Sequence, residues 1–104
     1  MIDARQAIIG KYKCYDYESI TIADTAIGLT ASKLTTDIKP KRAVITFETA
    51  SCRYRYDGTN PTDTEGHLMY PTSILIIEGL VAMTNLKLIR TGTTSAVGKV
   101  SYER

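Results

Sequence analysis

The sequence predicts an all-β fold, an antiparallel β-sandwich of jelly-roll type built from six to eight short strands with an extended N-terminal arm. Short segments of alternating apolar and polar residues recur along the chain, separated by turn residues. No segment has a convincing pattern for a helix of normal length. At 104 residues, the chain has the length of one domain with one core. We therefore divide it into residues 1–17, an N-terminal arm or first strand, and residues 18–104, a single sandwich domain.

The composition is that of a globular protein, with 43% hydrophobic and 23% charged residues. The net charge of +2 is too small to predict nucleic-acid binding, which needs a clustered basic face. No apolar run approaches the roughly 18 residues of a membrane span, and residues 1–5 lack the apolar stretch of a signal peptide. The sequence therefore predicts no membrane or nucleic-acid partner, and synthesis in a cytoplasm.

The chain has two cysteines, Cys14 and Cys52, and a single histidine. Without a Cys-x-x-Cys spacing or further histidines, these residues do not predict a zinc site. A disulfide between the cysteines stays an alternative, although nothing in the sequence marks the chain as secreted. The simpler interpretation is two buried or half-buried thiols that pack as small apolar groups.

Residues 11–17 alternate tyrosines with polar residues, which predicts an extended segment. The segment is either the first strand of the sheet or an arm that lies on a neighbouring subunit, where tyrosine offers a large contact area and a polar group. Its candidate subunit contacts are Tyr12, Tyr15 and Tyr17. Ile20 and Ile22 then share one face of a strand, and Gly28 is expected at a bulge.

Residues 30–41 are predicted to form a polar loop, because a proline and two adjacent threonines oppose a full helix. The first five of them have the composition for one helical turn. Lys39, Lys41 and Arg42 are expected on a solvated edge. A basic docking patch is the alternative, which makes Lys41 and Arg42 candidate subunit contacts.

Residues 42–48 form a clear predicted strand, with Ile45 and Phe47 on one face. The apolar parity then changes without a glycine or proline, which predicts a bulge or a corner near Thr49. Either feature reverses the faces on which the next segment places its side chains.

In that next segment, Tyr54 and Tyr56 are expected to face the core, so Arg53 and Arg55 point the other way. A charged face in contact with solvent is the simpler interpretation of the two arginines. Cation–π contacts or salt bridges to a partner chain are the alternative, which makes both arginines candidate subunit contacts.

A polar loop follows, and its residues have turn chemistry. Asp57 is expected to accept hydrogen bonds from backbone amides, Gly58 to adopt a positive φ, and Pro61 to fix its own φ. The predicted structural turn residues are Asp57, Gly58, Thr59, Pro61, Thr62 and Gly66. The oxygen-bearing side chains of residues 57–65 lack the spacing of an EF-hand loop, so no metal is predicted.

The last third of the chain predicts further strands. Residues 73–78 are apolar on both faces, which predicts a central strand buried on both sides, or a strand with an interface on one face. Residues 80–84 form a short connector, and residues 86–91 the next strand. A hairpin loop is expected at residues 92–95, before a last strand at residues 96–102.

The sequence offers no arrangement of residues for catalysis. His67, the only histidine, follows a glycine in a loop, and no nucleophile motif accompanies it. Glycine-rich phosphate-binding motifs are absent from the sequence. We therefore predict a non-enzymatic protein with no catalytic residue, no cofactor, no metal and no small-molecule substrate. His67 and Tyr70 are instead candidate subunit contacts.

A series of residues from position 48 onward resembles small β-sandwich structural proteins encoded by tailed bacteriophages and prophages. The pattern is ETA-x-x-RYR-x-DGT-x-PT-x-x-x-GH in residues 48–67. It is followed by IRTG in residues 89–92, SA in residues 95–96 and VSY in residues 100–102. The resemblance lies within residues 42–104 and leaves residues 1–17 unmatched.

The resemblance implies a capsid decoration protein, a cement or staple that binds and stabilises the assembled capsid. Its partners would be the major capsid protein and further copies of itself in a homo-oligomer, and its location the virion, assembled in the host cytoplasm. A head–tail or tail adaptor, with neck or tail proteins as partners, is the alternative. A small carbohydrate-binding module is the alternative from another functional class. The absence of tryptophan and the expected inward direction of Tyr54 and Tyr56 weigh against it.

Overall fold

A computed structural model of the chain describes residues 12–104, so the predicted arm lies largely outside the described residues. The described residues form seven strands and two short helices: β1 (Cys14–Ile22), α1 (Ala31–Leu34), β2 (Arg42–Glu48), β3 (Cys52–Arg55), β4 (His67–Met69), β5 (Ile74–Glu78), α2 (Leu80–Asn85), β6 (Lys87–Arg90) and β7 (Ala96–Glu103). Strands make up 44% and helices 11% of these residues. The predicted all-β fold is therefore confirmed.

The strands form two antiparallel sheets. The larger sheet has the order β1-β7-β2-β5, and the smaller has the order β4-β3-β6. Residues 23–27 continue the smaller sheet beyond β6. The amides of Ile27 and Leu88 donate to each other's carbonyl groups at 2.9 and 2.8 Å, and the amide of Arg90 donates to Ala23 at 3.0 Å. The chain after β1 thus passes directly from one edge of the larger sheet to one edge of the smaller sheet.

A single cluster of buried side chains draws on both sheets. Ile20 and Ile22 of β1 and Ile45 and Phe47 of β2 lie in it, as their alternation predicts. A Cβ on Gly98 of β7 would lie 3.1 Å from Ile20 and 3.5 Å from Ile45, so the glycine lets these isoleucines meet across the strand. The residues of β7 that face the core are Ala96, Gly98, Val100 and Tyr102.

The chain turns from the larger sheet into the smaller one at Thr49. Its φ of 80° lies in the left-handed region, which a β-branched residue rarely adopts. The amide of Ala50 donates to the carbonyl of Glu48 at 2.9 Å, which closes a tight turn. The corner predicted from the change in apolar parity is therefore confirmed, and it delivers β3 into the smaller sheet.

The prediction of a central strand at residues 73–78 is wrong. Within the described residues, β5 pairs with β2 alone and lies at an edge of the larger sheet. Leu75 and Ile77 are buried in the core, while Ile74 and Ile76 on the opposite face are half-buried. The alternative, an interface on one face, stays a prediction for these two isoleucines.

The predicted hairpin at residues 92–95 is also wrong. This loop joins β6 in the smaller sheet to β7 in the larger sheet, so the strands that it connects do not pair. Its composition indicates a turn but does not say which sheet the next strand enters. Gly28 likewise lies outside the strands rather than at a bulge. A Cβ on Gly28 would lie 2.9 Å from Lys87 Nζ and 3.0 Å from the carbonyl oxygen of Leu86.

Arg42 is buried, contrary to the solvated edge predicted for it, and only 2% of the residue is exposed. Its Nε donates to the carboxylate of Glu103, and the ring of Tyr12 lies 4.7 Å from its guanidinium carbon. A second carboxylate, that of Glu78, lies 3.8 Å from Nη1. The guanidinium is thus enclosed by groups that are distant in sequence, while its neighbour Lys41 stays exposed.

Strand β1 contains part of the segment for which the sequence leaves two interpretations. Residues 14–17 belong to this strand, and its register with β7 shifts between Cys14 and Asp16. Residues 1–11, which make up most of the predicted arm, lie outside the described residues. Cys14 is exposed and Cys52 is buried, and both thiols are free, so the alternative disulfide is not formed.

The two helices of the described residues are short. α1 provides the single helical turn predicted for residues 30–34, and α2 occupies the predicted connector after β5. Leu34 of α1 and Met83 of α2 are buried in the core. Neither helix in this part of the chain is long and apolar enough to cross a membrane.

Candidate functional site

Three rings meet where β3 leaves the smaller sheet. Tyr54 in β3 lies directly opposite His67 in β4, and Tyr56 follows two residues later. The ring centroids are 5.0 Å apart for Tyr54 and His67, 6.2 Å for the two tyrosines, and 6.5 Å for Tyr56 and His67. These separations lie within the range of favourable ring–ring contacts. We call these three residues the aromatic cluster.

The aromatic cluster lies where the inner face of the smaller sheet opens to solvent. Residues opposite one another share a face, so Tyr54 lies on the same face as His67 and as Leu88 of β6. Leu88 is fully buried, Tyr54 is half-buried, and His67 is exposed. Partial burial, and secondarily the nearby Tyr56, raise the pKa of Tyr54.

Tyr56 is 50% exposed, so the prediction that it faces the core is wrong. Strand β3 ends at Arg55, one residue before Tyr56. Alternation places a side chain on the inner face, but the core covers only the part of that face opposite the other sheet. The aromatic ring that the sequence assigns to the interior is therefore accessible to a ligand.

Arg55 and Asp57 form an ion pair beside the aromatic cluster. The guanidinium donates from Nε to Oδ1 at 3.1 Å and from Nη2 to Oδ2 at 2.5 Å. These hydrogen bonds are the main reason that the pKa of Asp57 is lowered from 3.8 to about 2. The same contact raises the pKa of Arg55. Both groups therefore stay charged over the whole physiological pH range.

The polar loop that follows is closed by its own hydrogen bonds. The Thr59 amide donates to Asp57 Oδ1 at 3.3 Å, and Gly58 has a φ of 89°, both as expected from the sequence. The hydroxyl group of Thr62 accepts hydrogen bonds from the amides of Thr64 at 3.3 Å and Glu65 at 3.0 Å. The loop thus has a defined conformation before it enters β4.

Arg53 fastens the loop to the outer face of the smaller sheet. Its Nε donates to the carbonyl of Asp63 at 3.1 Å, and its Nη1 donates to the carbonyl of Gly66 at 2.9 Å. Gly66 has a φ of 133°, and a Cβ there would lie 3.0 Å from the carbonyl oxygen of Tyr54 and 3.1 Å from Pro61. The guanidinium therefore braces the loop of its own chain.

A cleft runs beside the aromatic cluster. One part has a volume of about 300 Å³ and is lined by Arg55, Tyr56, Asp57 and His67. An adjoining part of about 380 Å³ shares three of these residues and adds Glu65 and Gly66. We call the two parts together the aromatic cleft. Its lining combines exposed rings with one guanidinium and two carboxylates, a set that can bind a ligand with both apolar and hydroxyl-bearing surfaces.

The other predicted contact residues lie elsewhere. Tyr12 lies over Lys41 and Arg42, with the Lys41 Nζ 5.6 Å from its ring centroid. The ring of Tyr15 lies 3.9 Å from the guanidinium carbon of Arg104. Tyr17 is exposed on the larger sheet, and Tyr70 is exposed just after β4. The structure thus brings Arg55 and His67 together with Tyr56 and Glu65, which the sequence does not assign to a site.

A separate depression of about 380 Å³ is lined by residues of the polar loop and of β6, among them Pro61 and Ile89. It contains the carboxylates of Asp24 and Asp63 and has no aromatic lining residue. Among residues 12–104, no group of three or more histidines, cysteines, aspartates or glutamates is placed to hold a metal ion.

Comparison with protein-family models, with curated proteins and with solved structures finds no match for this chain. The resemblance to phage structural proteins therefore stays a prediction from the quoted residues.

Proposed function

We propose that this chain is a non-enzymatic structural protein of a tailed-phage virion, a decoration protein that binds and stabilises the assembled capsid. The order of the strands supports the proposal, and the resemblance in the quoted motifs selects it among the functions that this order allows. With residues 23–27 counted as an eighth strand, the two sheets have the orders β1-β7-β2-β5 and 23–27-β6-β3-β4. Each of four connections joins two strands that occupy the same position in the two orders as written. These connections run from β1 to 23–27, from β2 to β3, from β4 to β5, and from β6 to β7.

This arrangement supports the jelly-roll form of β-sandwich as the finer description of the fold. An eight-stranded, two-sheet jelly roll is typical of viral capsid proteins and of lectins. A fold by itself does not determine a function, so the strand order agrees with virion assembly and with glycan binding alike. The resemblance in the quoted motifs favours the virion.

Exposed apolar side chains beside strand β4 supply the contact surface in this proposal. Leu68 is 37% exposed and Tyr70 is 61% exposed, on and directly after an edge strand of three residues. Aromatic and apolar side chains are enriched in protein interfaces, and an edge strand can pair with a neighbouring chain. A homo-oligomer that presents this edge repeatedly to the major capsid protein would gain avidity from many weak contacts.

Copy number in the purified virion tests the proposal. Quantitative mass spectrometry is expected to find hundreds of copies for each virion. Six or twelve copies would instead support the alternative, a head–tail or tail adaptor that binds neck or tail proteins in a ring. If virions of the encoding phage contain none of the protein, the proposal is wrong.

The contact surface is tested separately by cosedimentation with capsids stripped of the protein. Leu68→Ser and Tyr70→Ser are expected to weaken binding. Val81→Ser is the matched control, because Val81 is 76% exposed in α2 and is not among the candidate subunit contacts. Equal binding by all three variants would remove the edge of β4 from the interface.

A further inference from the structure

We propose that the aromatic cleft is a binding site for a neutral saccharide. The proposal rests on three features of the cleft: an exposed ring packed against another ring, charged hydrogen-bonding groups among the residues that line the same cleft, and a net charge that disfavours anions. The sequence predicts an inward Tyr56 side chain, which weighs against the carbohydrate-binding alternative. The exposure of Tyr56 in the structure removes this objection.

The ring of Tyr56 provides the stacking surface. It is 50% exposed, and its plane is inclined by 24° to that of Tyr54, whose centroid lies 6.2 Å away. Tyr54 is half-buried against the core, so it limits the positions that the Tyr56 ring can take. One face of a hexose is rich in C–H groups and gains free energy when it leaves water for an aromatic surface.

The hydroxyl groups of the sugar meet the charged groups of the cleft. Asp57 and Glu65 are carboxylates that accept hydrogen bonds, and Arg55 has five N–H donors, of which Nε and Nη2 contact Asp57. A sugar hydroxyl both donates and accepts, so it can join a carboxylate to a guanidinium. Hydrogen bonds that involve a charged partner are roughly twice as strong as those between neutral groups.

The charge of the cleft selects against anionic ligands. One guanidinium faces two carboxylates, which leaves one net negative charge when His67 is neutral. Phosphate and acidic sugars are therefore disfavoured. Cations are the competing class, but aromatic sites for quaternary ammonium groups surround the cation with rings. The ring planes of the aromatic cluster are inclined to one another by only 24°, 36° and 32°. Rings so close to parallel do not enclose a cation on several sides.

The cleft is formed before the ligand arrives. Arg53 donates hydrogen bonds to the carbonyls of Asp63 and Gly66. The hydroxyl group of Thr62 accepts hydrogen bonds from the amides of Thr64 and Glu65. Binding therefore requires little ordering of the loop, which lowers the entropic cost. Binding by one copy does not depend on the proposed virion function, whereas a decorated capsid would present many copies and strengthen attachment to a glycan-coated surface.

The histidine makes a direct test possible. His67 is the only histidine, so its Hε1 and Hδ2 ring protons each give one assignable NMR signal from within the site. The isolated protein is titrated with the methyl glycosides of glucose, galactose, mannose and N-acetylglucosamine to about 100 mM, which nearly saturates a site with a Kd of about 10 mM. At least one sugar is expected to shift the His67 signal saturably.

Variants locate the effect on the proposed surface. Tyr56→Ala is expected to weaken the binding about tenfold or more, and Tyr56→Phe, which keeps the ring, to bind within about twofold of the unaltered protein. Tyr17→Ala, an exposed tyrosine on the other sheet, is the control and is expected to bind normally. A melting curve for each variant shows that the fold is intact.

Three results would overturn the proposal: no saturable shift with any of the sugars, an undiminished shift in Tyr56→Ala, or a larger shift with tetramethylammonium or phosphate than with any sugar. Loss of capsid binding by Tyr56→Ala, without any sugar binding by the unaltered protein, would assign Tyr56 to a protein interface. Since the titration uses no virion, its failure is distinct from a failure of the virion proposal.

Discussion

Tyr102 donates a hydrogen bond from its hydroxyl group to the carboxylate of Glu18 on the neighbouring strand β1. The same carboxylate accepts hydrogen bonds from the Thr30 hydroxyl group at 2.5 Å and from the Thr30 amide at 3.3 Å. Glu18 therefore connects β7 and β1 to the residue that precedes α1. The phenol ring is fully buried, so this polar link lies at the margin of the core.

Tyr102→Phe is expected to lower the free energy of unfolding by about 1–3 kcal/mol, since the variant loses a hydrogen bond to a charged group. Denaturation in urea measures the change. Tyr17→Phe removes a hydroxyl group from an exposed ring and is expected to leave stability unchanged. Similar losses of unfolding free energy in both variants would mean that the contact between Tyr102 and Glu18 does not stabilise the fold.

Gly66→Ala is expected to lower the free energy of unfolding by about 1–3 kcal/mol, because its positive φ strains an alanine and the Cβ meets Tyr54 and Pro61. Gly92→Ala is the matched control, because no atom lies within 4 Å of a Cβ there. Thermal unfolding of the two variants makes the comparison. Equal melting temperatures would show that the loop relaxes around the added methyl group.

Arg42→Met is expected to cost about 3–5 kcal/mol in unfolding free energy, because the buried carboxylate of Glu103 loses its closest cation. The double variant Arg42→Met/Glu103→Leu removes both charges and is expected to recover part of the loss. Arg55→Met, in an exposed pair, is the control, with a much smaller effect. A double variant less stable than Arg42→Met would contradict this account. Urea denaturation at neutral pH measures all three.

Acid titration follows the Arg55–Asp57 pair. The pKa of Asp57 is lowered from 3.8 to about 2, so the contact stabilises the folded state above pH 3.8 and is lost as the pH falls toward 2. NMR of the side-chain carboxyl carbon measures this pKa directly. Arg55→Gln is expected to return it toward 3.8, and high salt is expected to raise it, since the pair is exposed. An unchanged pKa in Arg55→Gln would assign the shift to the turn amides.

Alkaline pH is expected to destabilise the fold through two buried groups, the thiol of Cys52 and the phenol of Tyr102. Burial raises the pKa of the Cys52 thiol from 9.0 to about 12, so the unfolded chain releases this proton first. The free energy of unfolding is expected to fall from pH 9 toward pH 12, by up to a tenfold change in the unfolding constant per pH unit. Burial, followed by the contact with Glu18, also raises the pKa of Tyr102 and adds to the fall above about pH 10.

The comparison of the unaltered protein with Cys52→Ala isolates the thiol. Denaturation is measured at intervals across the same pH range. The variant is expected to show a shallower decline of stability between pH 9 and pH 12, whatever its stability at neutral pH. Parallel declines in the two proteins would mean that the thiol titrates alike in both states.

Local features of the fold could be predicted because they depend on neighbours in sequence. Alternation identifies the inner faces of β1 and β2, and the change of parity near Thr49 identifies the corner. The turn at Asp57 and Gly58 follows from the chemistry of these two residues alone, and its hydrogen bond and positive φ are confirmed.

Features that depend on distant residues could not be predicted in this way. The burial of Arg42 requires Glu103, and Glu103 is brought next to it only by the pairing of β2 with β7. Residues 92–95 have the composition of a hairpin, yet the strand that follows them enters the other sheet. The exposure of Tyr56 depends on how far the core extends beyond β3. Alternation in the sequence gives the face on which a side chain lies, but not the extent of the core that covers this face.

The sequence signal that could have located the aromatic cleft is a hairpin-like return of the chain that pairs His67 with Tyr54, as the structure shows. Two strand segments separated by a loop with turn chemistry are expected to return side by side. A register with Tyr54 opposite His67 would have placed the three rings together. Several registers fit the same sequence, and hydrogen-bonded contacts such as those of Arg53 with the loop carbonyls select one of them.

Strand β7 is translated after β1 and β2, yet it lies between them and pairs with both. While β7 is still in the ribosome, the two earlier strands have no common partner and expose edges that can pair wrongly with each other. The larger sheet can therefore be completed only after β7, the last of its strands, has been translated. Such non-local pairing is slow and leaves nascent chains open to aggregation, so chaperone supply and growth temperature are expected to control the yield of folded protein.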